Sequence, residues 1–370
     1  MSLPALLGWI FRLLLVVGGS FVMDRLFPAE RWSWRIHDFI YQRLPPVPPD
    51  TQIVIVDIAQ LGRADLARLL LKLGAAQPSF IGIDAVFHSY QASPEDTLWM
   101  QALCSVATRL PVCLVSTLDL SKPMDKAPKS PVSHSSFTRC VEQAFANLIL
   151  QDSSVRLVRE ALIYTISEKD TALSLGARTA LAINPRLRDT LFKLPAQLTI
   201  RYRGSFSHFY FLSGEEVLKS DLPLDWLRGR VLLLGVADPL RRTMEDIFFS
   251  PLEGEFCRRS MPDMYGVLIH ANIAAMLAHK SFFENLSILW TGALIVFSYI
   301  LLSVWGGMEA GLRRSFFIRL TQVALIWGAI ELTLWLGKWG YWLSVEPLLW
   351  AILIGGEIEM WRAPCRRRLA

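Results

Sequence analysis

The sequence predicts an α/β protein, with a mixed or largely parallel sheet and flanking helices in an extracytoplasmic domain, plus an all-α transmembrane part of about four helices. Two observations predict this class. Apolar runs long enough to cross a bilayer lie near the N-terminus and in the last quarter of the 370 residues. Between these runs, patterns of buried strands alternate with patterns of helices, as they do in α/β sheets.

Four apolar runs define the predicted membrane part. One precedes the domain and three follow it, at residues 3–23, 287–305, 316–336 and 341–360. Each run is long enough to cross the roughly 30 Å hydrocarbon core as a helix. The predicted organisation is therefore an N-terminal anchor (1–27), an extracytoplasmic domain (28–285), three transmembrane helices (286–361) and a basic cytoplasmic tail (362–370).

Basic residues predict the orientation of the chain, because short loops rich in Lys and Arg stay on the cytoplasmic side. Such residues flank the loop between the second and third runs and follow the fourth run. They are Arg313, Arg314, Arg319, Arg362, Arg366, Arg367 and Arg368. With four crossings, both termini are predicted to be cytoplasmic. The large domain is then periplasmic or extracellular, and the protein is expected in a bacterial inner membrane.

Arg12 interrupts the first apolar run and leaves residues 13–23, a length also found in signal peptides. No small-x-small cleavage site follows this run, since the next residues are DRLFP. We therefore expect an uncleaved anchor, with Arg12 reaching toward the cytoplasmic face.

Composition agrees with a membrane protein. Hydrophobic residues make up 52% of the chain and the 13 Trp concentrate near the predicted spans, where indole rings favour the interface. Much of the formal charge of +5 lies in the arginine clusters, so membrane lipids are expected partners and nucleic acid is not.

Four of the five cysteines fall in the predicted outer domain, where oxidation occurs. Cys104 lies on a predicted helix and Cys113 on a predicted buried strand, and both are expected to be core thiols. Cys140 and Cys257 lie in polar stretches, and the sequence leaves open whether they pair. No spacing resembles a zinc site.

The first half of the domain predicts a repeated strand and helix pattern after an amphipathic helix at 32–44 and a proline-rich spacer. The runs QIVIVDI and FIGIDAV are nearly continuous and apolar, as in strands buried on both faces. A strand, helix, strand unit of this kind requires a parallel crossover. The predicted strands are 52–58, 80–86 and 112–116, and the predicted helices are 63–74 and 95–109.

The second half begins with a polar loop or insertion at 118–138 that is rich in Ser, Pro and Lys. Residues 155–166 alternate as in an antiparallel strand. Helices are predicted at 171–183, 214–219 and 265–278, and further strands at 198–202 and 231–236. The helix at 265–278 is expected to be amphipathic and leads almost directly into the second span.

Several segments together resemble the type-two CHASE domain, an extracytoplasmic sensor of bacterial receptors. These are WSWRIHDFIYQRLPPVPPD followed by IVIVDI, then FIGIDAVF, LTIRYRG, LRGRVLLLGVAD and YGVLIHANIAAML. One anchor before the domain and three helices after it also resemble that family. The resemblance covers nearly the whole chain and implies a sensory domain that acts through its membrane helices.

Two features depart from the family pattern. After the first strand, Asp57 runs through AQLGRADL directly into the helix, so a loop that usually carries Trp and Arg is shortened. Family members generally continue into a cytoplasmic cyclase or kinase, whereas this chain ends about ten residues after the last span. No output enzyme is therefore expected.

Five side chains are candidates for a ligand site. Asp57 and Asp84 end predicted parallel strands, at the edge where α/β sheets place ligands. His88, Asp238 and Asp246 complete a possible metal or acid-base group. The alternative, which we prefer, is that these carboxylates cap helices or fix turns. No metal and no cofactor are predicted, because zinc, Walker, dinucleotide, HExxH and GxSxG motifs are missing from the sequence.

His270 matches a family position, but a histidine on an apolar helix face is usually a hydrogen-bonded core residue. We therefore expect His270 to be structural.

Acidic residues in the membrane runs are costly in lipid and should face protein or the interface. Glu331 and Glu346 are candidates for intramembrane polar or partner contacts. For Glu331, a structural hydrogen bond to a neighbouring helix and a contact with a partner subunit are equally favoured. Glu357 and Glu359 are expected at the cytoplasmic boundary beside Arg362.

These observations favour a non-enzymatic inner-membrane sensory or interaction protein. Its periplasmic domain would bind a ligand or protein and relay the event through the membrane helices to separate subunits, with homo-oligomers possible. The alternative is a structural docking subunit of an envelope-spanning complex for secretion, conjugation or polysaccharide export. A third hypothesis, a hydrolase that uses Asp57 and Asp84, requires that Asp84→Asn abolish the phenotype.

Overall fold

The structure is a computed structural model that describes residues 3–27, 36, 38–41, 43–45, 47–118, 129–130, 133–152, 156–166, 171–240, 243–252, 261–305 and 311–368. The chain divides into two units. A helical unit contains Met1–Pro45 and Phe283–Ala370, and an α/β unit contains Pro46–Phe282.

Helices and strands are numbered in chain order. The helices are α1 (Leu3–Leu26), α2 (Arg63–Ala75), α3 (Pro94–Ala107), α4 (Ser135–Thr138), α5 (Leu175–Ile183), α6 (Arg188–Leu191), α7 (Gly214–Lys219), α8 (Gly266–Ala278), α9 (Ile288–Trp305), α10 (Leu312–Lys338) and α11 (Glu346–Arg368). The strands of the α/β unit are β1 (Asp50–Asp57), β2 (Phe80–Asp84), β3 (Val112–Leu118), β4 (Lys129–Ser130), β5 (Glu142–Phe145), β6 (Ile149–Asp152), β7 (Leu157–Leu162), β8 (Tyr164–Ile166), β9 (Thr171–Leu173), β10 (Gln197–Thr199), β11 (Phe209–Ser213), β12 (Val231–Gly235), β13 (Ile247–Phe248) and β14 (Met264–Tyr265). In the helical unit, β15 (Glu284–Asn285) pairs with β16 (Tyr341–Trp342).

Six parallel strands form the main sheet of the α/β unit. They lie in the order β11, β1, β12, β2, β3 and β5, and β4 adds an antiparallel pair to β3. The prediction of a mixed, largely parallel sheet is confirmed. Strand β12 lies between β1 and β2, although it follows them by about 150 residues in the sequence.

Both faces of the main sheet are covered. Helices α2 and α3 pack on one face, where Val54, Leu69 and Leu234 belong to one buried cluster. Helices α5 and α8 pack together on strands of the sheet. A Cβ atom on Gly82 of β2 would lie 2.8 Å from a Leu233 methyl and 3.0 Å from a Leu175 methyl, so a larger residue here would force these leucines to shift.

Three predicted elements differ in the structure. Residues Thr171–Leu173 form a strand paired with β8, and α5 starts only after Ser174, whose hydroxyl caps it at the Ala177 N–H. The predicted strand at 155–166 divides into β7 and β8, which pair with different partners. Helix α8 was expected to be amphipathic, but all of its residues are buried.

The helical unit contains three helices that are long and apolar enough to cross a membrane, among the described residues. They are Leu6–Leu26, Ile288–Trp305 and Leu312–Lys338. The fourth predicted run is also helical but begins at Glu346, because Tyr341–Trp342 forms a strand. Its three Glu and four Arg residues make it more polar than the others, and its crossing of the membrane stays a prediction.

The α/β unit contains a disulfide between Cys104 of α3 and Cys140, which follows α4. The expectation of a free core thiol at Cys104 is therefore wrong, and Cys140 is not available to Cys257, which lies outside the described residues. Cys113 is a buried free thiol, as predicted. Sequence spacing could not indicate the pair, because the bond depends on how α3 and α4 pack.

Candidate functional site

Four neighbouring parallel strands end at the same edge of the sheet, and their last residues lie side by side. In the register of the sheet, Ser213 of β11 lies beside Asp57 of β1, Asp57 lies beside Gly235 of β12, and Gly235 lies beside Asp84 of β2. Asp57 and Asp84 thus share the predicted edge but are two strands apart. With a strand spacing of about 4.8 Å, this places their backbones about 10 Å from each other.

Asp57 fixes the turns at this edge. Its Oδ1 accepts hydrogen bonds from the Ala59 N–H at 3.0 Å and from the Ala237 N–H at 3.0 Å. These bonds tie the end of β1 to the end of β12. Asp238 is buried and accepts from the Leu240 N–H at 3.0 Å. Both carboxylates have the turn geometry that short polar side chains commonly adopt.

Asp84 belongs to a different group, which includes Asp246 and His270. His270 Nε2 lies 4.0 Å from Asp84 Oδ2, and the side chains are 2% and 10% exposed. Asp246 is close enough to both for its charge state to depend on theirs. His88 is exposed and lies only four residues after Asp84, but no contact joins it to this group within the described residues.

Helix α8 borders the group of Asp84, Asp246 and His270, which we call the carboxyl cluster. Its first residue, Gly266, donates its N–H to the Asp246 carbonyl at 2.9 Å. A Cβ atom on Gly266 would lie 2.3 Å from Asp246 Oδ2, so glycine is required for this approach. Asp246 has φ of +51°, an uncommon conformation for a residue other than glycine.

Burial dominates the electrostatics of the carboxyl cluster. Loss of hydration raises the pKa of Asp84 from 3.8 to about 7. Burial and then the Asp84 charge raise the pKa of Asp246 to about 7, while His270, Arg156 and the Gly266 N–H oppose that shift. Burial lowers the pKa of His270 to about 4, against the effects of Asp246 and the Ala146 backbone. Near neutral pH, the cluster therefore holds a neutral imidazole and a carboxyl pair that binds protons.

Asp84→Asn is expected to stabilise the protein at about pH 8 and to change it little at about pH 4. The raised carboxyl pKa values mean that folded protein retains protons that unfolded protein loses, so stability falls as pH rises from about 4 to about 7. The lowered His270 pKa acts in the opposite direction, but only up to about pH 6.5. The change from 3.8 to about 7 sets an upper limit of about 4 kcal/mol at pH 8.

Thermal unfolding of the full chain at several pH values measures this effect. The matched control is Glu245→Gln, which removes an exposed carboxylate next to Asp246. Equal stabilisation by both substitutions, or a destabilised Asp84→Asn protein at pH 8, would contradict the prediction.

No group of three or more His, Cys, Asp or Glu side chains in the described part of the chain has the geometry of a metal site. Of the five predicted ligand residues, the structure brings together Asp84 and Asp246. It adds His270, which sequence reasoning treated as a structural core residue. The available signal was its place in YGVLIHANIAAML, four residues after the glycine that contacts Asp246.

The predicted intramembrane acids occupy different environments in the helical unit. Glu331 of α10 pairs with Arg43 at 3.0 Å, and both side chains are about half exposed. Glu346 is partly buried in the first turn of α11, where the helix dipole favours a carboxylate. Glu357 pairs with Arg319 of α10 at 2.7 Å.

Glu359 lies fully buried in the helical unit, and its predicted place at the cytoplasmic boundary stays a prediction. Its carboxylate accepts a hydrogen bond from the Tyr299 hydroxyl at 2.8 Å and lies 3.4 Å from Arg12 Nε. Arg12 also donates to the Tyr299 oxygen at 3.2 Å, and Arg314 donates to the Glu359 carbonyl. Arg12 is therefore held inside the unit, and this network joins α1, α9, α10 and α11.

The fold and the membrane helices together define an integral membrane protein with an α/β sensory domain. The CHASE2 domain family matches residues 12–308, which include the second half of the first span, the whole α/β unit and α9. The chain belongs to the CHASE2 domain family, whose domains are extracytoplasmic sensors. No curated protein matches the chain. No solved structure matches it either.

Proposed function

We propose that this protein is a non-enzymatic sensor of the bacterial inner membrane, with a periplasmic α/β unit and cytoplasmic termini. An event at the carboxyl cluster would be relayed through the membrane helices to separate protein subunits. The observation that carries this proposal is the position of α8. This helix borders the cluster through Gly266 and His270, and only residues 279–287 connect it to the membrane helix α9.

Three observations support a role without catalysis. Asp57 and Asp238 are engaged by backbone N–H groups. Asp84 is buried, and burial favours its protonated form. His270 is buried against the sheet and is held neutral by that burial. The interactions of these carboxylates and this imidazole thus stabilise the local structure at this edge of the sheet. A sensor needs such structural roles from them and does not need catalysis.

The disulfide and the arginine clusters support the proposed orientation. A bond between Cys104 and Cys140 persists in an oxidising compartment such as the periplasm. Arg313, Arg314 and Arg319 lie at the start of α10, as expected for a cytoplasmic end. Reporter fusions test this: a periplasm-dependent reporter should be active after Ser130 and inactive after Arg367. Activity at both positions would place them in one compartment and overturn the topology.

A photo-crosslinking side chain at Val323 tests the relay. Val323 is 65% exposed on α10, whereas Ile352 of α11 is fully buried and serves as the control position. In native membranes we expect protein adducts from position 323 and none from position 352. The adduct yield should change in the Asp246→Asn background, since a relay connects the cluster to the membrane face. An adduct that is the same with and without this substitution would favour the static docking subunit instead.

A further inference from the structure

The carboxyl cluster joins three segments that are far apart in the sequence. Asp84 ends β2, Asp246 precedes β13, and His270 lies in the second turn of α8. The junction is tightly packed. A Cβ atom on Gly235 would lie 2.8 Å from the Val267 Cβ and 3.2 Å from the Asp84 Cβ, and Gly266 has no room beside Asp246. Such packing favours the smallest of ligands.

Within the described residues, little charge is present to balance the two carboxylates. Arg156 is the cation that acts on Asp246, and its guanidinium also lies 4.3 Å from the centre of the Phe248 ring. On α5, which packs against α8, Arg178 is paired with Glu142 at 3.1 Å. The other carboxylates of this edge, on Asp57 and Asp238, are held by backbone N–H groups.

His270 provides a second, independent observation. Its side chain is 98% buried, and its Nδ1 atom makes no hydrogen bond of full geometry within the described residues, although the Ala146 backbone acts on the imidazole. An incomplete hydrogen bond leaves part of the cost of burying a polar atom uncompensated. Its Nε2 atom faces Asp84 at 4.0 Å, which is beyond hydrogen-bond distance. The imidazole thus lies in the cluster, but Asp84 does not accept a hydrogen bond from it.

We propose that Asp84, Asp246 and His270 form a proton-binding site, and that loss of its proton separates the segment before β13 from the N-terminus of α8. This inference rests on the proposed sensory function and names the proton as the stimulus. With a proton on the pair, one carboxyl can remain neutral beside the other. Without it, two buried negative charges repel each other, and among the described cations Arg156 balances only one of them.

The separation has a defined structural consequence. Asp246 is held to α8 by the hydrogen bond from the Gly266 N–H, and its carboxylate occupies the space that a Gly266 side chain would need, so its displacement frees the first turn of α8. Strand β13 begins at the next residue and pairs with β14, which immediately precedes α8. Movement of the segment before β13 is therefore transmitted to the start of α8 along two routes.

Infrared difference spectroscopy of the full chain, between about pH 6 and about pH 8.5, tests proton binding directly. The pH range brackets the change in protonation that burial is expected to cause. We expect a protonated carboxyl band at the lower pH that disappears at the higher pH. The band should lose intensity in Asp84→Asn and in Asp246→Asn, disappear in the double variant, and keep its intensity in the control Glu245→Gln. A wild-type spectrum without the band, or a band that keeps its intensity in the double variant, would overturn the proposal.

Hydrogen exchange at the same two pH values tests the structural consequence. After correction for the intrinsic pH dependence of exchange, the amides of the first turn of α8 should exchange roughly tenfold faster at the higher pH. Asp84→Asn and Asp246→Asn should remove this step, and Glu245→Gln should retain it. No corrected change in wild-type protein would overturn the proposed movement. A missing infrared band beside an adduct yield at Val323 that depends on Asp246 would reject the proton but retain the relay. An infrared band together with an adduct yield at Val323 that does not depend on Asp246 would retain the proton site and reject the relay.

Discussion

Glu359→Ala is expected to lower the free energy of unfolding of the helical unit by about 3–5 kcal/mol, because it leaves the charge of Arg12 without a partner inside the unit. The Glu359 side chain is fully buried, Arg12 is only 20% exposed, and Tyr299 donates to the same carboxylate. The substitution therefore removes an ion pair and a hydrogen bond together. Resistance of the full chain to unfolding by denaturing detergent measures the loss.

Glu357→Ala is the matched control, two residues earlier on the same helix. The Glu357 pair with Arg319 is about half exposed on both sides, and exposed pairs contribute about 0–1 kcal/mol. A double substitution, Arg12→Met with Glu359→Met, should recover much of the stability that Glu359→Ala loses. Equal losses from Glu357→Ala and Glu359→Ala would contradict the importance of the buried pair.

Cys104→Ser with Cys140→Ser is expected to lower the free energy of unfolding of the α/β unit by about 4 kcal/mol. The two cysteines are 36 residues apart, and a closed loop of that length restricts the unfolded chain by about this amount. The loop includes β3, the polar segment that follows it and α4. Denaturant unfolding of the full chain, with and without a reductant, measures the difference.

A reductant should lower the stability of the wild-type protein to that of the double variant and should not affect the double variant further. Cys113→Ala removes a buried free thiol and serves as the control, which should respond to the reductant as wild type does. A wild-type protein whose stability is insensitive to the reductant would contradict the prediction. Alkylation of the protein in intact cells would also show whether Cys104 and Cys140 are oxidised there.

Most of the fold could be predicted from local patterns. The runs QIVIVDI, FIGIDAV and RVLLLGV predict strands buried on both faces, and β1, β2 and β12 occupy the middle of the sheet. Local sequence patterns predict an element less well where tertiary contacts determine its structure. Strand β11 was not predicted, because FYFLS is short and lies at the edge of the sheet. Helix α8 was predicted to have a polar face, but its Asn272 and His270 are buried by contacts that are remote in sequence.

The candidate site was predictable only in part. The rule that ligand sites lie at the carboxyl ends of parallel strands located Asp57 and Asp84 correctly at one edge. The rule could not tell that Asp57 and Asp84 have different roles. Asp57 accepts hydrogen bonds from backbone N–H groups, whereas Asp84 lies near another acid, and only tertiary packing determines this. Asp246 and His270 join Asp84 only through the packing of α8. In the helical unit, Arg12 and Glu359 are about 350 residues apart in the sequence, and nothing local indicates that they pair.

The place of β12 in the main sheet has a consequence for how the protein is made. Strands β1 and β2 are complete once residue 84 has been synthesised, yet neither pairs with the other, because β12 lies between them. Their facing edges stay open until about 150 further residues have emerged from the ribosome. Open strand edges invite pairing with other chains, and contacts so distant in sequence form slowly. A nascent chain that stalls before residue 231 therefore holds two strands that each have an open edge, so chaperones that bind extended segments should be especially important for its biogenesis.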